Sequence, residues 1–450
     1  MSIRILLILL LLSFNSFSEI CNCKITIPAY ETFVDGSKYA ISPGDTVCIA
    51  SSKKKYFQLK NFTGDSLRPI VFINYGGEVV IENDNFYYGI RIANCKYFKL
   101  LGNGDINTTY GIKIKQTGPD ANGLSIADFS SDFEIAFLEI SNTGFAGIIA
   151  KTDPDCEEKA WRHNFIMKNV SIHHNYIHDV AGEGLYIGHS FYSGWRGKRQ
   201  CPDKVLFPHE LANVAIYDNV IDNCGFDGVQ VGCGSNKINI YKNYVSNFGV
   251  LNQPQQNNGI QIGEGTSART YNNIIKNGSG HGIIHLGFGE NYLYNNLIVK
   301  TGNAGIFNDN RLEALGDKNY FINNTLLYCG GDGIVIYSDT TKSFCYNNLI
   351  INPGNFYKYE SDNTSRTGND SFIFLLHAAA PVSVESNCFI LNDIPYDSES
   401  ESYKYLITGY ECVMDKGIDV SEFGITLDLY GKSRPQGKGF DAGVVEFEVK

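Results

Sequence analysis

The chain has 450 residues, 43% of them hydrophobic, with 46 Gly, 12 Pro, 12 Cys and only 3 Met. That length could hold two or three ordinary domains, but the Gly content, the 13% aromatics and the scarcity of Met suit strands and turns rather than helices. A net charge of −11 argues against nucleic acid or an anionic membrane as the main partner. A strongly acidic polymer would need a locally basic patch.

Residues 1–18 (MSIRILLILLLLSFNSFS) combine Arg4, an apolar run from Ile5 to Leu12 and small residues at Ser16 and Ser18. This is the pattern of a secretory signal, too short for a spanning helix with a stop-transfer flank. The chain is therefore expected to be exported (secreted, periplasmic or at the cell surface), with no integral membrane segment after cleavage. All 12 Cys follow this segment, and an even count in an exported chain permits six disulfides. Cys224 and Cys329 hold equivalent places in CGFDG and CGGDG, which favours buried small side chains for those two.

Residues 19–130 read as an N-terminal cap with the first irregular coils, since a bare terminal coil would expose unpaired strand edge. ISPGDTVCIA (41–50) and RPIVFINYGGEVVIEN (68–83) are strand-like, and YGIRIAN (88–94) and YGIKIKQ (110–116) repeat at 22 residues. From 131 to 395 the pattern becomes regular. Asn219, Asn243, Asn273, Asn296, Asn324 and Asn348 follow one another at steps of 24, 30, 23, 28 and 24 residues. Gly228, Gly259, Gly282, Gly305 and Gly333 keep register with them, at steps of 31, 23, 23 and 28. A base period of roughly 23 residues marks a solenoid, and alternation with period 2 marks its units as strands. The pattern predicts an all-β parallel β-helix with three short strands per coil. Asn suits one corner because it tolerates left-handed backbone and can bond the next coil's Asn. Gly suits the other, where positive φ is common. Residues 396–450 are expected to close the far end as a last strand pair.

Two long insertions follow Gly-initiated strands of neighbouring coils, KTDPDCEEKAWRHNF (151–165) and HSFYSGWRGKRQCPDKVLFPHE (189–210). They hold both Trp residues, Trp161 and Trp195, and one Cys each, Cys156 and Cys201. Consecutive coils lie about 4.8 Å apart, so a bridge between the loops is geometrically reasonable. Arg162, Arg196, Lys198 and Arg199 supply the local basic patch. Trp and Tyr faces stack on sugar rings and Arg forks hold carboxylates, which makes Trp161, Trp195, Tyr186, Arg196, Lys198, Arg199, Gln230 and Gln261 the candidate substrate contacts.

The residues just before the Gly column are Glu183, Asp227, Asn258, His281, Ala304 and Asp332. In adjacent coils Glu183 and Asp227 would sit roughly 5 Å apart, which suits a retaining glycosidase pair or two ligands of a calcium ion. Asp before Gly is also ordinary corner chemistry. Alternation puts Lys151, Tyr186, Gln230, Gln261, Phe307 and Tyr337 outward on the same strands, with His189, Glu264, Asp309 and Arg311 at the strand ends. His285 is ambiguous by one position. A lyase needs a group to neutralise the substrate carboxylate, a base for the C5 proton and a donor to the leaving oxygen. Calcium on Glu183 and Asp227 with Lys151, His281 or Arg311 as base would supply them. His173, His174 and His178 lie on the Asn corner and are expected to face solvent.

The repeats resemble the right-handed parallel β-helix proteins of the pectate-lyase type over nearly the whole mature chain, and the ending, with Arg-Pro, Gly and Asp-Ala-Gly, is similar to that of many secreted bacterial members. The group includes lyases, glycosidases, epimerases and non-enzymatic proteins, so the resemblance implies a fold rather than an activity. DGVQV, NNGIQIG and SGHGIIHLG resemble the three successive strand motifs of polygalacturonases. Asp227 and His281 match the first and third, but Asn257-Asn258 replaces the acid pair of the second. The Arg-x-Pro-x-x-Arg pattern of typical pectate lyases is missing from the sequence. The expectation is an exported, monomeric protein that acts on an acidic polysaccharide, by β-elimination first, with a non-catalytic polysaccharide binder or a glycoside hydrolase as alternatives.

Overall fold

The computed structural model describes residues 22–312, 316–354, 371–391 and 410–448; the expected signal segment and Cys21 lie outside them. Each regular coil contributes three strands. In one coil these are Glu210–Tyr217, Val220–Cys224 and Val229–Gly232. The first two of each coil join a single 23-stranded sheet, and the third builds a separate 12-stranded sheet, called the narrow sheet below. Register passes unbroken along the narrow sheet, from Ile148 to Leu185, Val229, Ile260, Ile283, Ile306 and Ile334. Alternation turns one side of every strand inward, so that Val214, Ile216, Ile221, Val229 and Val231 are all buried, each adding roughly 1.5–3 kcal/mol of apolar burial.

The Asn column is a continuous amide ladder. Asn175 Nδ2 donates to Asn219 Oδ1, and the same bond repeats through Asn243, Asn273, Asn296, Asn324 and Asn348 to Asn387, at 2.9–3.0 Å. The ladder residues themselves do not take the left-handed backbone. The residue before each does: Asp218, Lys242, Asn272, Asn295, Asn323 and Asn347 have φ between 51° and 55°. The Gly column also differs from expectation, because Gly228, Gly259, Gly282, Gly305 and Gly333 are not among the positive-φ residues. They are required for closeness: a Cβ on Gly259 would lie 2.4 Å from Ile275 Cγ2 and 2.5 Å from Gly282 O.

Coiling begins at once. Cys23–Ile27 pairs with Thr46–Lys54 and is tied to it by the Cys23–Cys48 disulfide, and the narrow sheet starts at Phe33–Asp35. The 22-residue likeness of YGIRIAN and YGIKIKQ is not a coil step. Tyr88–Ala93 belongs to the narrow sheet and Ile112–Gln116 to the large one, since alternation marks a strand without saying on which side of the coil it runs.

Among the described residues three disulfides form, Cys23–Cys48, Cys156–Cys201 and Cys388–Cys412. Cys95, Cys224, Cys233, Cys329 and Cys345 are buried thiols, so six disulfides do not form. Burial pushes the Cys95, Cys233, Cys329 and Cys345 thiols up to about 12.

Residues 410–448 do not extend the coil as strands. They fold back along the Asn corner, where Asn347, Asn295 and Arg269 donate to the Ile418, Leu427 and Phe423 carbonyls at 2.8–2.9 Å. Asn323 donates to Asp441 O at 2.8 Å. Asn295, Asn323 and Asn347 are left-handed corner residues, whose outward amides give this segment its partners. Val420, Ile425 and Phe440 cover Tyr294, Tyr320 and Tyr346, and fully buried Arg434 pairs with Glu446 at 2.7 Å.

Candidate functional site

The outer face of the narrow sheet carries a row of side chains in register. Its central row is Ile149, Tyr186, Gln230, Gln261, Ile284, Phe307 and Val335. Over six steps of about 4.8 Å this row is about 29 Å long. Tyr186, Gln230, Gln261 and Phe307 hold the outward positions expected of them. Lys151 and Tyr337 lie two residues further along, just past their strands Ile148–Ala150 and Ile334–Ile336, because alternation fixes a face but not where a strand ends. His285 turns inward: it is fully buried between Ile262 and Asn308 in register. Its Nδ1 meets Asn308 Oδ1 at 2.7 Å, and burial lowers its pKa to about 4.

Along one edge of this face runs the row before the glycines. Asp227 Oδ1 accepts from Asn258 N at 2.6 Å and from Asn258 Nδ2 at 3.0 Å. Asn258 Oδ1 in turn accepts from His281 N at 3.2 Å, and Asp332 Oδ1 from Ser371 N at 2.7 Å. The row therefore does corner chemistry, each side chain holding the next coil's backbone. It leaves polar atoms over. Glu183 Oε2, Asp227 Oδ2 and Gln261 Oε1 are buried with no hydrogen-bond partner among the described residues. Burial raises the Glu183 carboxyl to about 7, against the opposing pull of its own backbone and of the Lys151 charge. Asp227 is raised well above its ordinary value, by burial first and by the Glu183 charge.

Further along these strands from Glu183 sits a compact polar group from three consecutive coils. Lys151 Nζ lies 4.9 Å from the centre of the Tyr186 ring and 3.1 Å from Asp153 Oδ1. The Tyr186 hydroxyl is 2.9 Å from Ser190 Oγ, which also accepts from Gln230 Nε2 at 2.7 Å. Sequence reasoning passed over Asp153 and Ser190. Their signal was position, since each lies at the root of a long insertion.

Those insertions are joined by Cys156–Cys201. Thr152 clamps both roots: its N–H donates to His209 Nε2 and its carbonyl accepts from His189 Nε2, both at 3.1 Å. Burial first drives both imidazoles down, His189 to about 3 and His209 to about 4, so both are neutral structural rings. Trp161 packs against Phe207 of the other loop and its indole N–H donates to Asp155 O at 2.8 Å, which makes it a pin between the two loops. Trp195 is 45% exposed and is the aromatic face open to a ligand. Arg196 and Arg199 are exposed, while Lys198 Nζ donates to Pro154 O at 3.0 Å and links the two loops. Reducing this bridge, or replacing both Cys by Ser, is expected to cost roughly 2–4 kcal/mol of loop stability. Limited proteolysis with and without reductant would show it as new cleavage within 151–208.

His281 and Arg311 are not part of the Lys151–Glu183 group. They follow or precede strands three and four coils further on, about 14 Å and about 19 Å from the Tyr186 strand along the axis. With Phe307, Tyr337, Asn258, Asn303, Ile284, Asp309, Asn257 and the 254–255 turn they line a separate cavity of about 550 Å³. Of the three corner histidines, His174 is exposed, but His173 is 8% exposed, 3.3 Å from Glu134, and stacked on Tyr217. It caps a Tyr217–Tyr241–Tyr271–Tyr294 stack with centroids 4.8–4.9 Å apart.

A calcium ion takes six to eight oxygen ligands. Glu183 and Asp227 offer one unpartnered oxygen apiece, and no group of three or more His, Cys, Asp or Glu is placed to hold a metal among the described residues. The pair does not fit a calcium cage. No helix among the described residues is long and apolar enough to cross a membrane.

A family model described as the right-handed β-helix region matches residues 209–389. Among solved structures, a lacto-N-biosidase from Eubacterium ramulus is 13% identical with a TM-score of 0.46; the match covers 79% of this chain and 63% of that enzyme, less than two thirds of its length. A pectate lyase is 11% identical over 94% of this chain and 96% of its own, with a TM-score of 0.41. An alginate lyase from Paenibacillus sp. is 15% identical over 83% and 99%, with a TM-score of 0.34. No curated protein matches the sequence. The three-strand coils and the amide ladder, with the match over 209–389, give this chain the right-handed parallel β-helix fold.

Proposed function

We propose that the chain is an exported carbohydrate-active enzyme that cleaves an acidic polysaccharide by β-elimination beside Lys151, Glu183 and Tyr186. The observation that supports this most is the buried Glu183 carboxyl, whose Oε2 has no hydrogen-bond partner among the described residues and which is raised to about 7, one coil from the Lys151 ammonium. Below that pH Glu183 is a neutral hydrogen-bond donor. It can share its proton with a uronate carboxylate, while Lys151 supplies the positive charge and Gln230 a further donor. Both lower the cost of the carbanion-like charge that forms when C5 loses its proton. Tyr186 is the proton-transfer group. Its oxygen takes the C5 proton, the C4–O4 bond breaks as C4=C5 forms, and the same oxygen returns that proton to O4. Protons balance without another donor.

A retaining glycosidase needs one of its two carboxylates ionised. Burial pushes Glu183 and Asp227 in the same direction, up, so the pair suits elimination better than hydrolysis. Three disulfides agree with an oxidising compartment. The test is ultraviolet absorbance of the C4–C5 unsaturated product when the purified chain meets a panel of uronate polysaccharides, with chelator in a parallel tube. A rise that survives the chelator is expected. No rise, with no new reducing ends, would leave a polysaccharide-binding protein in place of the enzyme.

A further inference from the structure

The cavity over the fifth to seventh of the outward strands is remote from the reacting group, yet it carries its own ligand chemistry. The Phe307 ring stands at the centre of the face, with His281 at 4.8 Å and Tyr337 at 4.7 Å between ring centres. The three rings form a row of tilted neighbours, at 42° and 56° to one another. At its rim the Arg311 side chain is 48% exposed, with Nε 3.8 Å from Asp309 Oδ2, and its guanidinium fork can meet an incoming carboxylate. The opposite wall is amide: Asn258 and Asn303 line the cavity, and Asn303 Nδ2 lies 3.3 Å from His281 Nε2. An aromatic floor, an amide wall and an Arg fork are what a carboxylated pyranose needs, its ring face on the aromatic surface and its acid on the cation. A cavity of about 550 Å³ falls within the range that encloses a small ligand.

Position gives the cavity its meaning. It lies on the same sheet face as Tyr186, and the Phe307 strand is four coils beyond the Tyr186 strand. Coils are about 4.8 Å apart, comparable with the length of one sugar ring, so a glycan lying along the face advances about one sugar per coil. We propose that His281, Phe307, Arg311 and Tyr337 form a distal subsite that binds an anionic sugar residue about four units from the one at Tyr186, making the chain selective for long uronate oligomers and polymers. This rests on the reading of this face as a uronate-binding site, and it assigns His281 and Arg311 to binding rather than to chemistry.

The experiment measures binding of uronate trimers and octamers by calorimetry, using wild type, Arg311→Gln and Tyr337→Ala. Wild type is expected to prefer octamer over trimer, and each substitution to reduce that affinity ratio about 10-fold. Circular dichroism of each variant checks that it folds, and Arg311→Gln alters a half-exposed side chain only. A length preference that both variants retain, or no preference in wild type, would overturn the distal subsite. Length-dependent binding without cleavage would leave the subsite standing and remove the elimination reaction instead.

Discussion

Glu183→Gln is expected to lower kcat/KM on a uronate polymer about 100-fold or more and at the same time to make the protein more stable above neutral pH. The two effects have one cause. The folded carboxyl titrates at about 7 rather than at its ordinary 4.5, so folding favours its neutral form. That contribution is fully present below pH 4.5 and is lost as pH rises through 7. Raising a carboxyl's titration point by one pH unit disfavours its ionised form by about 1.4 kcal/mol, so above pH 7 the wild type carries a burden of about 3 kcal/mol that a neutral Gln does not share. The stability difference between the two proteins should therefore be near zero at pH 4 and widen toward pH 8. Urea unfolding at both pH values reads the difference directly. Equal stability at both would mean that Glu183 is not held neutral, and the proposed role in meeting the substrate carboxylate would go with it.

Gly282→Ala is expected to destabilise the coil by about 3 kcal/mol, near the upper end for overpacking. Its new methyl would lie 2.4 Å from Ile298 Cγ2 and 2.6 Å from Gly305 O. Ile298 is buried in the core, and the Gly305 carbonyl is fixed by the Ile283 N–H at 3.0 Å. Neither neighbour can yield without breaking the narrow sheet. Thermal unfolding of the variant measures this, and a midpoint equal to that of wild type would remove close coil contact as the reason for the glycine column.

Spacing carried most of the fold. The Asn and Gly columns are sequence-local signals repeated often enough to give the coil register, and from that register came the buried Cys224 and Cys329 and the bridge between the Trp-bearing loops. What spacing does not carry is the length of a strand or the direction of a non-repeating segment. Lys151 and Tyr337 slipped past their strand ends for the first reason, and residues 410–448 escaped for the second, since their partners on the Asn corner lie 71 to 154 residues away in the sequence. The site divided for a related reason: Lys151, Glu183, His281 and Arg311 share one face, but in a solenoid a shared face is a line, and only coil count tells how far apart two points on it lie.

The returning C-terminal segment has a mechanical consequence. A solenoid joined only by nearest-neighbour coils frays from either end. Here the hydrogen bonds of Arg269, Asn295, Asn323 and Asn347 to residues 418–441 strap the later coils into one block, so they must let go together. The protein should unravel from its N-terminal side, and amide hydrogen exchange should show protection in the coils from 268 to 351 outlasting that in the coils before 130. Equal protection at both ends would mean that the strap bears no load.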